Sequence, residues 1–576
     1  MRFVQAPPAL ALDKARGRAL PCGAMSVDAT AQPRPDVGAP APSASRSEPG
    51  RAGGGDDRMP SGIPYIVANE FAERFCYYGI NAILTVYMTR FLRLGDADAT
   101  TWHSLFKSGA YFFPLLGAIV ADVFWGKFRT VMTFSIVYPV GCVILAFVPG
   151  LGGLLSGLFL VAFGTGGIKP CVSTNVGDQF TSKNRHLIER AFSYFYLAIN
   201  AGSSISIFFC PVLLDKYGPR LAFGVPAAMM LVAVAVFWTG RRRYAVVPPA
   251  GKAWLRDVFS PEGVKTIGSL AVIYLFVAVF WALWDQSNGQ TWTLQAESSL
   301  MDKDLGFGLR LLPAQIQVVN GLLILAMVPV FTFAVYPLMG KAFRVTPLRK
   351  IGIGLFTIAG SFLIVGWIES RIQGGHTVSV WWQILAYVVL TASEVLVSIT
   401  ALEFSYTQAP LRMKSFIMAL FLLSTSVGNL MTAAVNHAMV RPLHPEGAEA
   451  GPETWVTLAD ARGLATGQKI DFAGQSGLTV VKPGGARQPL AGTFLVAATD
   501  EGGRRVRLMD AVDRKPVATS GAFDAKAAQV STYKLVGREY FDFFALVMAC
   551  VAVVFVFVAS LYREKTHLRD ELQPAE

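Results

Sequence analysis

Glu70, Glu73 and Arg74 lie in the stretch Glu70-Phe-Ala-Glu-Arg-Phe-Cys-Tyr-Tyr-Gly79, inside an apolar run from about Tyr65 to Arg93. Spacings of three and four residues put the three charges on one face of a helix. Charges at membrane depth are costly and usually face a polar cavity or a partner. Two acids beside a fixed cation form a site that can take up and release a proton, because protonating a carboxylate frees the cation it held. The alternative is a permanent salt bridge that fastens helices.

Three further positions carry charge in apolar surroundings. Lys169 ends Gly164-Thr-Gly-Gly-Ile-Lys169-Pro170, where glycines permit close helix approach. It is either a second buried cation or a lysine snorkelling to the interface. Glu394 and Glu403 share a later run. Nine residues is two and a half turns of an α-helix, so the two acids face opposite sides and one of them looks into a central cavity. Glu394 is the deeper; Glu403 reads as a packing or gating residue. The chain shows no catalytic triad, nucleotide-binding loop or metal-ligand spacing, so it reads as neither an enzyme nor a cofactor protein.

The elements that must position these groups follow from composition. Of 576 residues, 53% are hydrophobic and 16% charged, with a mean hydropathy of +0.44. Repeated long apolar runs define an integral membrane protein. We read spans at about 65–93, 103–125, 130–149, 153–173, 190–214, 220–240, 265–297, 314–340, 348–368, 381–408, 415–440 and 538–562. The net charge of +12 is topological and implies no nucleic acid: Lys127, Arg129, Arg241 to Arg243, Lys252, Arg256, Lys341, Arg344, Arg349, Lys350, Arg412 and Lys414 fall in alternate loops. The positive-inside rule then puts both termini in the cytoplasm, with the chain in the cytoplasmic (inner) membrane. The six cysteines form no C-x-x-C and read as small packing residues.

Residues 1–62 read as a disordered cytoplasmic tail, or as a start placed too early, with Met25 and Met59 downstream. The expected fold is an all-α integral membrane protein with a first bundle at 63–243, a cytoplasmic linker at 244–264, helices 7–11 at 265–440, helix 12 at 538–562 and a cytoplasmic tail at 563–576. Twelve spans divide six and six, a two-bundle transporter with its site between the halves. Residues 441–537 break the pattern: short alternating runs between Gly-rich turns predict a small β-rich insertion, extracytoplasmic by parity.

Several of these stretches together resemble the proton-dependent oligopeptide transporters (POT) of the major facilitator superfamily. They are Glu70-x-x-Glu73-Arg74-Phe75-x-Tyr77-Tyr78-Gly79, the Lys169 motif, Gly177-Asp-Gln-Phe180 and Phe195-Tyr-Leu-Ala-Ile-Asn200-Ala-Gly202. Trp292-Thr-Leu-Gln295, Val319-Asn320, Tyr336-Pro-Leu338 and Leu402-Glu-Phe-Ser-Tyr406 with Gln408-Ala-Pro410 resemble the animal branch. Gly117 to Lys127 resembles the superfamily loop whose Asp122 and Lys127 form a cytoplasmic latch between helices.

The resemblance implies the major facilitator fold and import of di- and tripeptides driven by protons, with no cofactor, acting as a monomer. Glu70 and Glu73, with His103 where animal members carry a proton-linked histidine, would couple the proton. Arg74 and Lys169 would receive the peptide carboxylate. Glu394, helped by Asn200 and Asn320, would receive the amino group, and Tyr78, Tyr87, Trp281 and Trp292 would line the walls. The sequence departs from the pattern at Asn81, where many relatives carry Arg, and at Thr291, where animal members carry a cation. Asp285 remains on helix 7 without the usual interbundle gate partner. Two other readings stand: transport of a drug, nitrate or other anion on this scaffold, or a sensor using 441–537.

Overall fold

The structure, a computed structural model, describes residues 58–562 apart from 182, 246–247, 250–258, 307, 409–413, 462, 482–486 and 501. The two expected tails therefore lie almost wholly outside the described residues, as do Lys252, Arg256, Arg412 and most of the linker.

The helices are α1 (Ile63–Val86), α2 (Asp96–Ile119), α3 (Lys127–Phe147), α4 (Gly150–Asp178), α5 (Ile188–Tyr217) and α6 (Pro219–Thr239). After the linker come α7 (Pro261–Trp284), α8 (Val318–Val330), α9 (Pro347–Gln373), α10 (Val380–Glu394), α11 (Lys414–Met439) and α12 (Arg538–Leu561). Local chemistry sets several starts. Pro219, Pro261 and Pro347 occupy first-turn positions, where the missing N–H costs nothing. Ser260 and Thr346 accept hydrogen bonds from Gly263 N and Arg349 N at 3.1 and 3.3 Å.

Among the described residues, eleven helices are long and apolar enough to cross a membrane. α1 is not among them: Glu70, Glu73 and Arg74 lower its hydropathy, although its 24 residues suffice to span. Each half has its own apolar core. One is built from α1–α6, with Ile80, Phe134, Val161 and Phe223 at its centre, and the other from α7–α12, with Phe280, Leu355, Phe362 and Phe555. Within the first half, glycines set the helix spacing. A Cβ on Gly117 of α2 would come within 2.4 Å of the Gly166 carbonyl oxygen of α4, so only glycine lets these backbones meet. That contact brings α4, and Lys169 with it, against α2.

The α10 run is not a continuous α-helix. A π-helical stretch, Val395–Ile399, separates Glu394 from the segment Thr400–Gln408. A π turn holds more residues than an α turn and resets the helical phase. Ideal α geometry therefore does not fix the angle between Glu394 and Glu403; Glu394 is half-buried and Glu403 exposed.

Two short strands, β1 (Met301–Asp302) and β2 (Val378–Ser379), pair in parallel within the second half, and the other strands occupy 440–533. A seven-stranded antiparallel sheet has the order β3 (Val440–Leu443), β12 (Ala528–Tyr533), β6 (Lys469–Gly474), β9 (Gly492–Thr499), β10 (Arg505–Asp510), β5 (Trp455–Leu458) and β4 (Pro445–Glu449). A smaller sheet joins Thr519–Gly521, Leu478–Val481 and Arg487–Pro489. The domain has its own core, including Val456, Ile470, Phe472, Val496, Val506 and Leu508. Alternation along β6 turns Ile470 and Phe472 inward and Asp471 toward the helices. There Tyr533 Oη donates to Asp471 Oδ2, and Thr493 Oγ1 donates to Oδ1 at 2.7 Å.

Burial, with Asp96 next to it, pushes the Asp471 carboxyl up to about 7 against the weaker opposing pull of Tyr533, Thr493 and Lys469. In an unfolded chain the value is about 3.9. An acid raised on folding binds more protons in the native state, so its stabilising contribution is full below about 4 and is lost as pH rises to about 7. Thermal melts in detergent should show wild type losing stability over that window by an amount on the order of a few kcal/mol. Asp471→Asn should flatten the decline; identical pH slopes for the two proteins would refute this.

Candidate functional site

In the first half, Arg74 Nε lies 2.6 Å from Glu70 Oε1 and 3.3 Å from Glu73 Oε2. Both acids are almost completely buried, at 1% and 0% exposure. The hydroxyl of Thr165 on α4 donates to Glu73 Oε1, tying the cluster to the glycine motif. One residue turn further along α4, Lys169 Nζ lies over the rings of Tyr77, at 3.9 Å, and Tyr111, at 4.3 Å. This ammonium is buried and makes no hydrogen bond. The rings supply a cation–π attraction in place of a counter-ion.

In the second half, Glu394 Oε2 accepts hydrogen bonds from Asn320 Nδ2 at 2.8 Å and Trp284 Nε1 at 3.0 Å. Asn320 also donates to Thr391 Oγ1 at 3.0 Å. Among the described residues no cation pairs with Glu394.

The halves are joined at the end where the β domain lies. α7 breaks at Asp285–Ser287 and resumes as a short helix, Thr291–Glu297. The break presents backbone groups and Asp285 to α1 and α2. Lys107 of α2 pairs with Asp285 Oδ1 at 2.8 Å and donates to Asn288 O at 2.9 Å, while Asn429 Nδ2 donates to Asp285 Oδ2 at 2.5 Å. Ser104 donates to Gln290 Oε1 at 3.0 Å, and Asn81 Nδ2 to Asn288 Oδ1 at 3.0 Å. Arg90 pairs with Glu297 at 2.6 Å.

Lys107 is the residue that the sequence reading missed, and it corrects the expectation that Asp285 lacks an interbundle partner. The cation absent at Asn81 and Thr291 stands on α2 instead. A lysine in the first apolar turns after His103 was the available signal.

His103 is fully buried. Its Nδ1 lies 2.7 Å from Thr85 Oγ1, and its Nε2 lies 2.8 Å from Asn81 Oδ1. Thr85 Oγ1 in turn donates to Gly289 O, across the halves, at 2.5 Å. A hydroxyl has one proton. When Thr85 spends it on Gly289, His103 Nδ1 must donate, and Asn81 Oδ1 requires a proton on Nε2 as well. All three bonds are made at once only with an imidazolium. A neutral ring leaves one of these three bonds unmade.

Other expected site residues lie elsewhere. Tyr87 is 4% exposed and packs edge-on against Phe223, a core position in the first half. Trp292, 1% exposed, packs on Phe362 and Tyr387 in the second core. Asn200 donates to the Tyr196 carbonyl of its own helix at 2.8 Å and does not join Asn320 at Glu394. Lys127 pairs with Asp178 at the end of α4, 2.5 Å away, and Asp122 has no ion pair among the described residues. The latch thus joins α3 to α4, with Asp178 in the role expected of Asp122.

A multi-pass helical membrane protein with two cored halves and opposed buried charges between them is the architecture of a solute transporter. A family model described as the POT family matches residues 128–261 and 254–450, and the chain belongs to that family. Solute carrier family 15 member 2 of Rattus norvegicus is 38% identical over 365 residues, covering 55% of this chain and 50% of that protein. The chain spans about half the length of the curated relatives it matches. The solved structure of the POT family transporter PepTSo is 35% identical, with a TM-score of 0.62, over 66% of this chain and 90% of that one. A structure described as an auto-inhibited POT family peptide transporter is 27% identical, with a TM-score of 0.66, over 90% of this chain and 99% of that one. These relatives are membrane transporters, not enzymes.

Removing one member of a buried ion pair strands the other. Lys107→Met should cost about 3–5 kcal/mol of stability. Lys107→Met combined with Asp285→Leu should recover most of that loss. Thermal unfolding in detergent of both single variants and the double would test it; strictly additive losses would show that the pair is not coupled.

Proposed function

We propose that the protein imports di- and tripeptides together with protons by alternating access. In this reading twelve spans form two six-helix bundles in the cytoplasmic membrane, both termini are cytoplasmic, and 441–537 lies outside. Membership of the POT family and the peptide transporters among its relatives support the solute class. The observation that carries the reading is the pair of uncompensated poles: the Lys169 ammonium without a hydrogen-bonding partner, and the Glu394 carboxylate held by neutral donors alone. A peptide of any side chain has one charge of each sign at its ends. A site reading only the ends therefore takes many sequences, with Tyr78 as an adaptable wall.

Coupling follows from the Arg74 cluster. Protonating Glu70 or Glu73 loosens the hold on Arg74 and leaves it, with Lys169, to the peptide carboxylate. His103 adds an outer step: a proton taken from outside completes the three-bond network of His103 with Asn81, Thr85 and Gly289 and fastens the outer end while the inner end opens. The Lys107–Asp285 pair acts in the same direction. Monomeric function and freedom from any cofactor accompany this reading.

In proteoliposomes, dialanine should accumulate above equilibrium under an inward-acid gradient with inside-negative potential, and a protonophore should abolish the accumulation. Glu70→Gln and Glu73→Gln should lose driven accumulation at least ten-fold while retaining dialanine exchange. Lys169→Ala should lose both. Glu394→Gln should raise the dialanine KM at least ten-fold, because the amino group loses a charge-assisted contact of about 1.5–3 kcal/mol. Full driven accumulation by Glu70→Gln and Glu73→Gln would remove the acids from coupling. An absence of dialanine uptake by folded wild type would redirect the search to another solute.

A further inference from the structure

The β domain is rooted in the second half and reaches across to the first. β3 follows α11 directly, and only residues 534–537 separate β12 from α12. Side-chain and backbone contacts strengthen that root: Arg514 Nη1 donates to Ile372 O at the end of α9 at 2.8 Å, Lys534 Nζ to Ala438 O at 2.8 Å, and Ser299 N to Val512 O at 3.0 Å. The domain therefore moves with the second half.

Among the described residues, its hydrogen bonds and ion pair with the first half are made at one corner, the turn between the α1 run and α2. Lys469 pairs with Asp96 at 2.5 Å, and Asp96 N donates to Thr493 Oγ1 at 2.9 Å. Ala97 N donates to Tyr533 Oη at 3.1 Å, and Arg93 donates to Gln488 Oε1. Gly95 packs so closely on β6 that an added Cβ would sit 3.0 Å from Asp471 Cβ. Between the three bodies is a cavity of about 150 Å³, walled by Arg90 and Asp96 of the first half, Glu297 and Glu369 of the second, and Lys469 and Arg514 of the domain.

We propose that this domain is a latch on the outer mouth: fixed to the second half, it grips the 93–97 corner of the first and must let go before the outer end can open. The cluster is suited to release. Its bonds are hydrogen bonds and one partly exposed ion pair, Lys469–Asp96, which water can replace as the corner parts. The inference rests on the alternating-access reading given above.

The close approach of Gly95 and Asp471 supplies the test. Gly95 has φ of −64°, which any residue adopts, so a Gly95→Cys, Asp471→Cys protein carries its new thiols at near-disulfide separation. After oxidation, with the cross-link verified by peptide mass analysis, dialanine uptake should fall at least ten-fold, and dithiothreitol should restore it to the level of the single-cysteine controls. A cross-linked protein that transports at the reduced rate would overturn the latch. So would failure of the two thiols to join in folded protein, since the corner is then not held as described. Transport by wild type is scored separately. If wild type moves no dialanine, the transport reading fails, and the latch is judged without solute by adding Gln290→Cys at the helix break. A membrane-impermeant maleimide should label this thiol in the reduced protein and not in the cross-linked one. Equal labelling would overturn the proposal on that arm.

Discussion

A charge taken out of water must be paired or hydrogen-bonded, or its burial costs several kcal/mol. That constraint organises this protein. Lys107 and Asp285 meet it fully, at 1% and 3% exposure and 2.8 Å apart, with Asn288 and Asn429 taking remaining bonds. Glu70, Arg74 and Glu73 meet it only in part: two buried acids share one cation, and Oε2 of each acid has no hydrogen-bond partner. Lys169 does not meet it. Two tyrosine faces offset part of its cost, about 2 kcal/mol at a desolvated site. Glu394 has neutral donors but no cation. The fold thus holds one positive and one negative group in incompletely compensated states on opposite halves. In the proposed reading, a zwitterion entering between them would complete both.

This arrangement also accounts for what a sequence can and cannot reveal. The Glu70–Arg74 cluster was legible because all its members lie within two turns of one helix, where spacing alone determines the face. The helical spans were legible as apolar runs, and the β domain as alternating runs between glycines. Lys107–Asp285 was not: its members are 178 positions apart, and nothing local says which lysine reaches across. The core packing of Tyr87 and Trp292 was not legible for a related reason. In an apolar run every face of a helix is apolar, so periodicity gives no direction to an aromatic ring. The π stretch after Glu394 shifted helical phase without any proline or glycine to announce it.

Irregular backbone is concentrated where function needs it. The α7 break supplies the Asn288 and Gly289 carbonyls, free of helical bonding, to Lys107 and Thr85. Gly289 has φ of +82°, and a Cβ there would come within 2.6 Å of the Asn81 carbonyl oxygen. A side chain at that position would force α1 and α7 apart. Glycine is therefore required for the two halves to touch at this level, and the His103 network depends on that contact.

The strength of each cross-half bond matters because the proposed alternating access would require all of them to be exchanged. Most are neutral hydrogen bonds, individually near 1 kcal/mol net and replaceable by water. Lys107–Asp285 differs, since parting it in a dry interface would strand two charges. Its surroundings resolve the difficulty unevenly. Asp285 keeps Asn429, a residue of its own half, whereas Lys107 is held at both named contacts by the other half. Separation is therefore tolerable only if Lys107 is hydrated as it leaves. In the proposed cycle water would enter between the halves as they part, at the end where the β domain stands.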